Sequence, residues 1–173
     1  MTDAATPPPC AHNLPAELSA FVGRTEEIGT VARLVASNRL VTLTGSGGAG
    51  KTRLAQRVAA SVADEFADGV WWIELASTVA AEQIATTILG ALGEPIGNSD
   101  PLRLLVLRLA TSHTLLVVDN CEHLVEDVAE VLHAVLSTCP SVSVLATSRT
   151  ALNLPGEVSW RVPPLASFRR RAL

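Results

Sequence analysis

The sequence predicts an α/β fold, a three-layer α/β/α sandwich around a mainly parallel sheet of about five strands. Three observations carry this. Short β-rich runs alternate with segments of helical periodicity along most of the chain. The runs are continuously apolar, as in strands covered on both faces. The 173 residues, 48% apolar and 17% charged, supply material for one sizeable core and exclude wholesale disorder.

Residues 1–18 are rich in Pro, Ala and Thr, lack periodicity and read as a flexible lead-in, with order beginning near Phe21. Residues 19–165 form the domain, and 166–173 a short basic tail. From Thr25, the residues Ile28, Val31, Ala32, Leu34 and Val35 recur at helical spacing behind Glu26 and Glu27, which favour a helix N-terminus. A strand over 39–44 stops at a glycine cluster, and a helix over 52–66 follows. A second strand over 69–76 precedes helices over 81–92 and 101–110. Residues 113–119 form a third strand, and 122–138 an amphipathic helix with Leu124, Val128, Val131, Leu132 and Val135 on one face. Strands over 142–147 and 158–162 complete the set.

Thirteen basic against seventeen acidic side chains give a net charge of -4, so no global positive field exists to hold nucleic acid or an anionic membrane. Cys10, Cys121 and Cys139 are odd in number and widely separated, unlike a zinc ribbon or a disulfide framework. No apolar run reaches the roughly 18 residues that span a bilayer. Pro7, Pro8 and Pro9 stand where a signal peptide needs an apolar block, and a cytoplasmic location is expected. Twelve of the basic residues are arginines and one is a lysine, Lys51, so position 51 calls for an ammonium group in particular.

That lysine lies in Gly45-Ser46-Gly47-Gly48-Ala49-Gly50-Lys51-Thr52, which fits G-x-x-x-x-G-K-[ST] between a predicted strand and a predicted helix. In such a phosphate-binding loop the glycines let backbone N–H groups face phosphate oxygens. The lysine reaches the β- and γ-phosphates, and the Thr52 hydroxyl is offered to Mg²⁺. The third strand delivers Asp119 at its carboxyl end, where ligands bind in open α/β sheets, and a carboxylate there holds Mg²⁺ directly or through water.

The next residue is Asn120, where many P-loop ATPases place an acid that polarises the attacking water; an amide cannot accept that proton. Glu122 is either a substitute for that acid or a dipole-stabilising residue at the start of the next helix. Slow hydrolysis is the expectation. Ser148 and Arg149 end the fourth strand. If that strand is inserted between the P-loop strand and the Asp119 strand, Arg149 comes to the γ-phosphate and can report its presence; otherwise it is a solvated strand-end arginine. Trp71 and Trp72 point to opposite faces of a buried strand and read as core. Cys121, His123 and His133 lack a fourth partner at metal-ligand spacing. There is no Asn-Lys-x-Asp guanine reader and no transporter-type Leu-Ser-Gly-Gly signature.

Four segments together, Phe21 to Arg24 with Glu27, Gly45 to Thr52, Leu115 to His123, and Leu145 to Arg149, make the chain resemble the STAND class of P-loop ATPases. That class includes the NB-ARC domains and the ATPase modules of large bacterial LuxR-type regulators. The resemblance implies ATP/ADP and Mg²⁺ as cofactors, with Val22, Gly23 and Arg24 against the base and ribose. It implies that Lys51, Thr52 and the adjoining Arg53 handle phosphate and metal, with Asp119 the Walker B acid and Arg149 the sensor. Members of the class continue into a helical lid and a winged helix, so the eight residues after Leu165 imply a truncated domain. Two functions follow as expectations. One is a nucleotide-dependent switch with slow hydrolysis that self-associates or acts on other protein domains, without itself binding nucleic acid or membrane. The other is a non-hydrolysing nucleotide-binding interaction module.

Overall fold

The computed structural model describes residues 11–16 and 23–164. Five strands, β1 (Leu40–Thr44), β2 (Val70–Glu74), β3 (Thr114–Asp119), β4 (Val142–Ser148) and β5 (Glu157–Arg161), form one sheet in the order β2-β3-β4-β1-β5. Every strand pair is parallel, so all carboxyl ends lie along one edge. β4 is inserted between β1 and β3, as the Arg149 argument required. Each crossover between parallel strands needs a covering element, and the helices alternate with the strands for that reason.

Helices α1 (Thr25–Ser37) and α2 (Lys51–Ser61) cover one face. Their Val31, Val35, Leu54 and Val58 pack with Val41, Leu43, Leu115, Val117 and Leu145. On the other face, α3 (Gln83–Ala91), α4 (Pro101–Leu109) and α5 (Val125–Thr138) enclose Ile84, Ile88, Leu105, Leu132, Leu116, Val118 and Val144. All six residues of β3 are buried, which is why its sequence shows no polar alternation. Trp71 and Trp72 pack into opposite cores, as expected. Asp100 caps α4, its carboxylate accepting the Leu102 N–H at 3.2 Å, with Pro101 at the first helical position.

Three expectations change. The helix expected over 52–66 ends at Ser61, whose hydroxyl donates to Val58 O at 2.7 Å, and a 3-10 turn (Ala63–Glu65) follows. The helix expected from Glu122 begins at Val125. Cys121–His123 instead form a 3-10 turn set by the left-handed backbone of Asn120 (φ 68°). Residues 11–16, read as part of a flexible lead-in, contribute a strand surrogate along β2. His12 bridges Val70, and the Asn13 side chain bonds both backbone groups of Trp72. The tail Arg169, Arg170 and Arg171 lies outside the described residues. Among those described, no helix is long and apolar enough to cross a membrane.

Candidate functional site

The loop between β1 and α2 sits at the carboxyl end of β1, which lies between β4 and β5. Gly48 (φ 78°) and Gly50 (φ 82°) occupy left-handed backbone that L-residues resist, and Gly50 is the N-cap of α2. The first turn of α2 has N–H groups with no carbonyl of its own helix to bond, and they open toward the loop. Lys51 is 8% exposed, and its ammonium donates to Gly45 O and Ser46 O, both at 3.0 Å. Those two bonds fold the side chain back across the loop and leave its third N–H donor for an anion. Ala49 is buried in the core beneath, and its N–H closes the turn on Ser46 O at 3.2 Å.

Beside Lys51, the Thr52 hydroxyl donates to Asp119, 2.9 Å from Oδ1 and 3.1 Å from Oδ2. Thr147 of β4 donates to the same Oδ1 at 2.5 Å, and Thr147 Oγ1 accepts the Asn120 N–H at 3.0 Å. Burial pushes the Asp119 carboxyl above its ordinary range; the Thr147 and Thr52 hydroxyls oppose that shift, and the neighbouring Glu74 carboxylate adds to it. Thr147 and Glu74 escaped the sequence reading. The signal for Thr147 was its place immediately before Ser148-Arg149 on a strand that adjoins β3 if it is the inserted one: Val118 pairs with Ala146, so Thr147 comes alongside Asp119. Nothing in the sequence singled out Glu74.

Arg149 is exposed, and its guanidinium lies over the loop, with Nη2 3.6 Å from where a Cβ on Gly47 would stand. Its Nε is 3.8 Å from Glu122 Oε1. Glu122 lies in the 3-10 turn ahead of α5, not in the first turn of that helix, and reaches toward the end of β4. A cavity of about 390 Å³, lined by Thr44, Gly45, Ser46, Arg149, Ser159 and Arg161 among others, opens beside the loop.

On the far side, Arg24 enters α1 with a left-handed backbone (φ 64°) after Gly23. Its Nη2 donates to Pro163 O at 2.9 Å, while Nη1 is buried without a hydrogen-bond partner, about 3.9 Å from a Cβ placed on Gly50. Arg53 is exposed in the first turn of α2. Val22, expected beside Gly23 and Arg24, lies outside the described residues. Among the described residues Cys121 and Cys139 are buried, whereas His12, His113 and His133 are exposed. Burial drives the Cys121 thiol far up, the thiol pointing at Val118 O, and His123 Nε2 meets Thr78 O at 2.8 Å. No group of three or more metal-ligating side chains occurs among the described residues.

Comparison with known proteins fits this arrangement. The profile of the family described as "AAA domain" matches residues 35–154. An uncharacterized protein of Mycobacterium tuberculosis is 40% identical over 90% of this chain. A candidate HTH-type transcriptional regulator of the same organism is 42% identical over 77% of it. The chain spans 40% of the length of the first relative and 15% of the second. Among solved structures, the STAND protein with a tetratricopeptide repeat sensor from Pyrococcus horikoshii superposes with a TM-score of 0.61 at 17% identity, covering 89% of this chain and 25% of its own. Cdc6p from Pyrobaculum aerophilum gives 0.61 at 16% identity, covering 88% of this chain and 47% of its own. At these identities the likeness concerns the fold. The chain belongs to the AAA domain family and has the fold of a STAND-class P-loop ATPase.

Proposed function

We propose that this domain is an ATP/ADP-binding switch that hydrolyses ATP slowly with Mg²⁺ and works inside a larger regulator. The observation that carries the reading is the Thr52 hydroxyl bonded to the buried Asp119 carboxylate directly beside Lys51. A hydroxyl and a carboxylate are the hard oxygen donors Mg²⁺ takes, usually with waters and substrate phosphate completing its shell. Asp119 is 2% exposed, and among the described residues its partners are the Thr52 and Thr147 hydroxyls and the Glu74 carboxyl, with no cation, so a divalent ion would answer negative charge gathered there. Thr52 and Asp119 are the residues that would hold it, and the ion would neutralise phosphate charge.

Around that pair each cationic group has a task. The third Lys51 donor, the first-turn N–H groups of α2 and the buried, unpartnered Arg24 Nη1 fit a polyphosphate and its ribose. Arg149 stands over Gly47, on the side where the terminal phosphate ends. Asn120 supplies an amide and no base, which supports slow turnover. A switch needs the two nucleotides to differ in affinity between two conformations, and a group that meets only the third phosphate supplies such a difference. The name of the mycobacterial regulator supports a role in transcriptional control, exerted through parts of the protein beyond this domain.

The test is to denature freshly purified protein and chromatograph what it releases, then to follow phosphate release and calorimetric titration with ATP and ADP, with and without Mg²⁺. Recovered ADP and a Lys51-dependent, Mg²⁺-dependent phosphate release support the switch. Binding without phosphate release supports the non-hydrolysing module, and binding of neither nucleotide overturns both.

A further inference from the structure

We infer that Glu122 is the counterion Arg149 exchanges for the terminal phosphate, so that this carboxylate sets the preference between ATP and ADP. The inference rests on the nucleotide reading of the site and names its discriminating residue.

Three observations place Glu122 in that role. Its Oε1 faces Arg149 Nε at 3.8 Å, and the same guanidinium overhangs Gly47 of the loop. Arg149 thus lies between the Glu122 carboxylate and Gly47 of the loop. Glu122 is mostly buried (22% exposed), whereas Arg149 is 67% exposed. The arginine is the partner with solvent around it to move into. Finally, Glu122 Oε2 is buried with no hydrogen-bond partner, so the residue is not held there by a bonded network, and Arg149 is the cation its charge meets.

The physics of the exchange follows from those facts. A single contact at 3.8 Å to an arginine that is itself solvent-exposed contributes little, so Arg149 leaves it at small cost. A phosphate offers Arg149 a bidentate, charge-assisted contact that a single long carboxylate contact does not match. With ADP, nothing competes and Arg149 stays with Glu122. With ATP, the γ-phosphate takes Arg149 and meets the negative charge of Glu122 nearby, a repulsion that ADP never meets. Glu122 therefore lowers ATP affinity selectively and biases the domain toward its ADP state. A carboxylate that merely packed the 3-10 turn would affect both nucleotides alike.

The experiment measures Kd for ADP and for a non-hydrolysable ATP analogue, both with Mg²⁺, on wild type, Glu122→Gln, Arg149→Gln and the double variant. The amide keeps the shape of the side chain and removes its charge. Glu122→Gln is expected to raise the ratio Kd(ADP)/Kd(ATP analogue) by about tenfold, the size expected of one partly screened charge repulsion. In the Arg149→Gln background the same substitution is expected to change the ratio by less, because no guanidinium remains for the carboxylate and the phosphate to compete for. A ratio unchanged within about twofold, with both nucleotides still bound, overturns this inference alone. Failure of wild type to bind either nucleotide overturns the site reading and this inference with it. Circular dichroism on each variant shows that the fold is retained.

Discussion

Glu74 and Asp119 stand directly opposite each other in the parallel register of β2 and β3, two carboxylates at the same edge of the sheet. Burial first, and this neighbour in addition, raise the Asp119 pKa above the ordinary carboxylate range. The sign of the consequence is fixed. Where the folded state holds its proton more tightly than the unfolded chain, the stability that proton provides is complete below the unfolded pKa and is lost as pH rises through the folded one. Without metal, Asp119→Asn removes that loss. The variant is expected to melt above wild type at neutral pH, and the gap is expected to widen as pH rises from the acid side. Thermal unfolding of metal-free protein across about pH 4 to 8 checks it. A gap that stays constant means Asp119 ionises in the fold without penalty.

Lys51→Ala is expected to weaken binding of ATP and ADP by at least about 100-fold, since a charge-assisted phosphate contact is lost from a partly enclosed site. Stability should change little. Among the described residues the ammonium bonds the carbonyls of Gly45 and Ser46, which water can reach once the side chain is gone. Calorimetry with far-UV circular dichroism separates the two effects. Retained nucleotide affinity in a folded variant would refute the assignment of the loop.

Asn120 adopts left-handed backbone (φ 68°), which Asn and Asp tolerate better than other L-residues with a Cβ. Asn120→Asp therefore introduces a carboxylate next to Asp119 with little added strain. Wild-type turnover is expected below about 1 per second. A correctly placed base contributes roughly 10² to 10⁴, so even imperfect placement predicts at least a tenfold gain in phosphate release. No gain would indicate that the missing acid does not limit the rate.

The sequence made the alternation of elements, the five strands, the loop and the Asp119 strand legible, because buried parallel strands and a glycine-lysine motif leave strong local signals. The position of β4 between β1 and β3 stayed a condition attached to Arg149, which the strand order meets. What the sequence missed depends on contacts between distant residues. Thr147 donates to Asp119 from 28 positions away, and Glu74 meets Asp119 only through strand register. Glu122 was assigned two alternatives, and neither pointed to its contact with Arg149 across 27 positions. The left-handed Asn120 displaced the start of α5, a backbone event that apolar periodicity does not report.

The most distant of these contacts is the seat of residues 11–16 on β2. Asn13 acts as a peptide group would: its Oδ1 accepts the Trp72 N–H at 2.5 Å and its Nδ2 donates to Trp72 O at 3.0 Å. Val70 N–H bonds Ala11 O at 3.0 Å, so the outer edge of the sheet is satisfied where it would otherwise offer a template for another strand. Asn13→Ala removes two bonds to half-buried backbone and is expected to cost about 1–2 kcal/mol. Gly69→Ala attacks the same seat differently. Its Cβ would lie 2.4 Å from Ala11 O, on backbone at φ 101° that L-residues avoid. Both variants are expected to lower the melting temperature, hasten proteolytic cleavage near residues 11–16 and increase aggregation through the bared edge. Nucleotide affinity should be little changed, because β2 lies at the end of the sheet remote from the loop strand. If both variants keep wild-type protease resistance, the segment does not guard this edge.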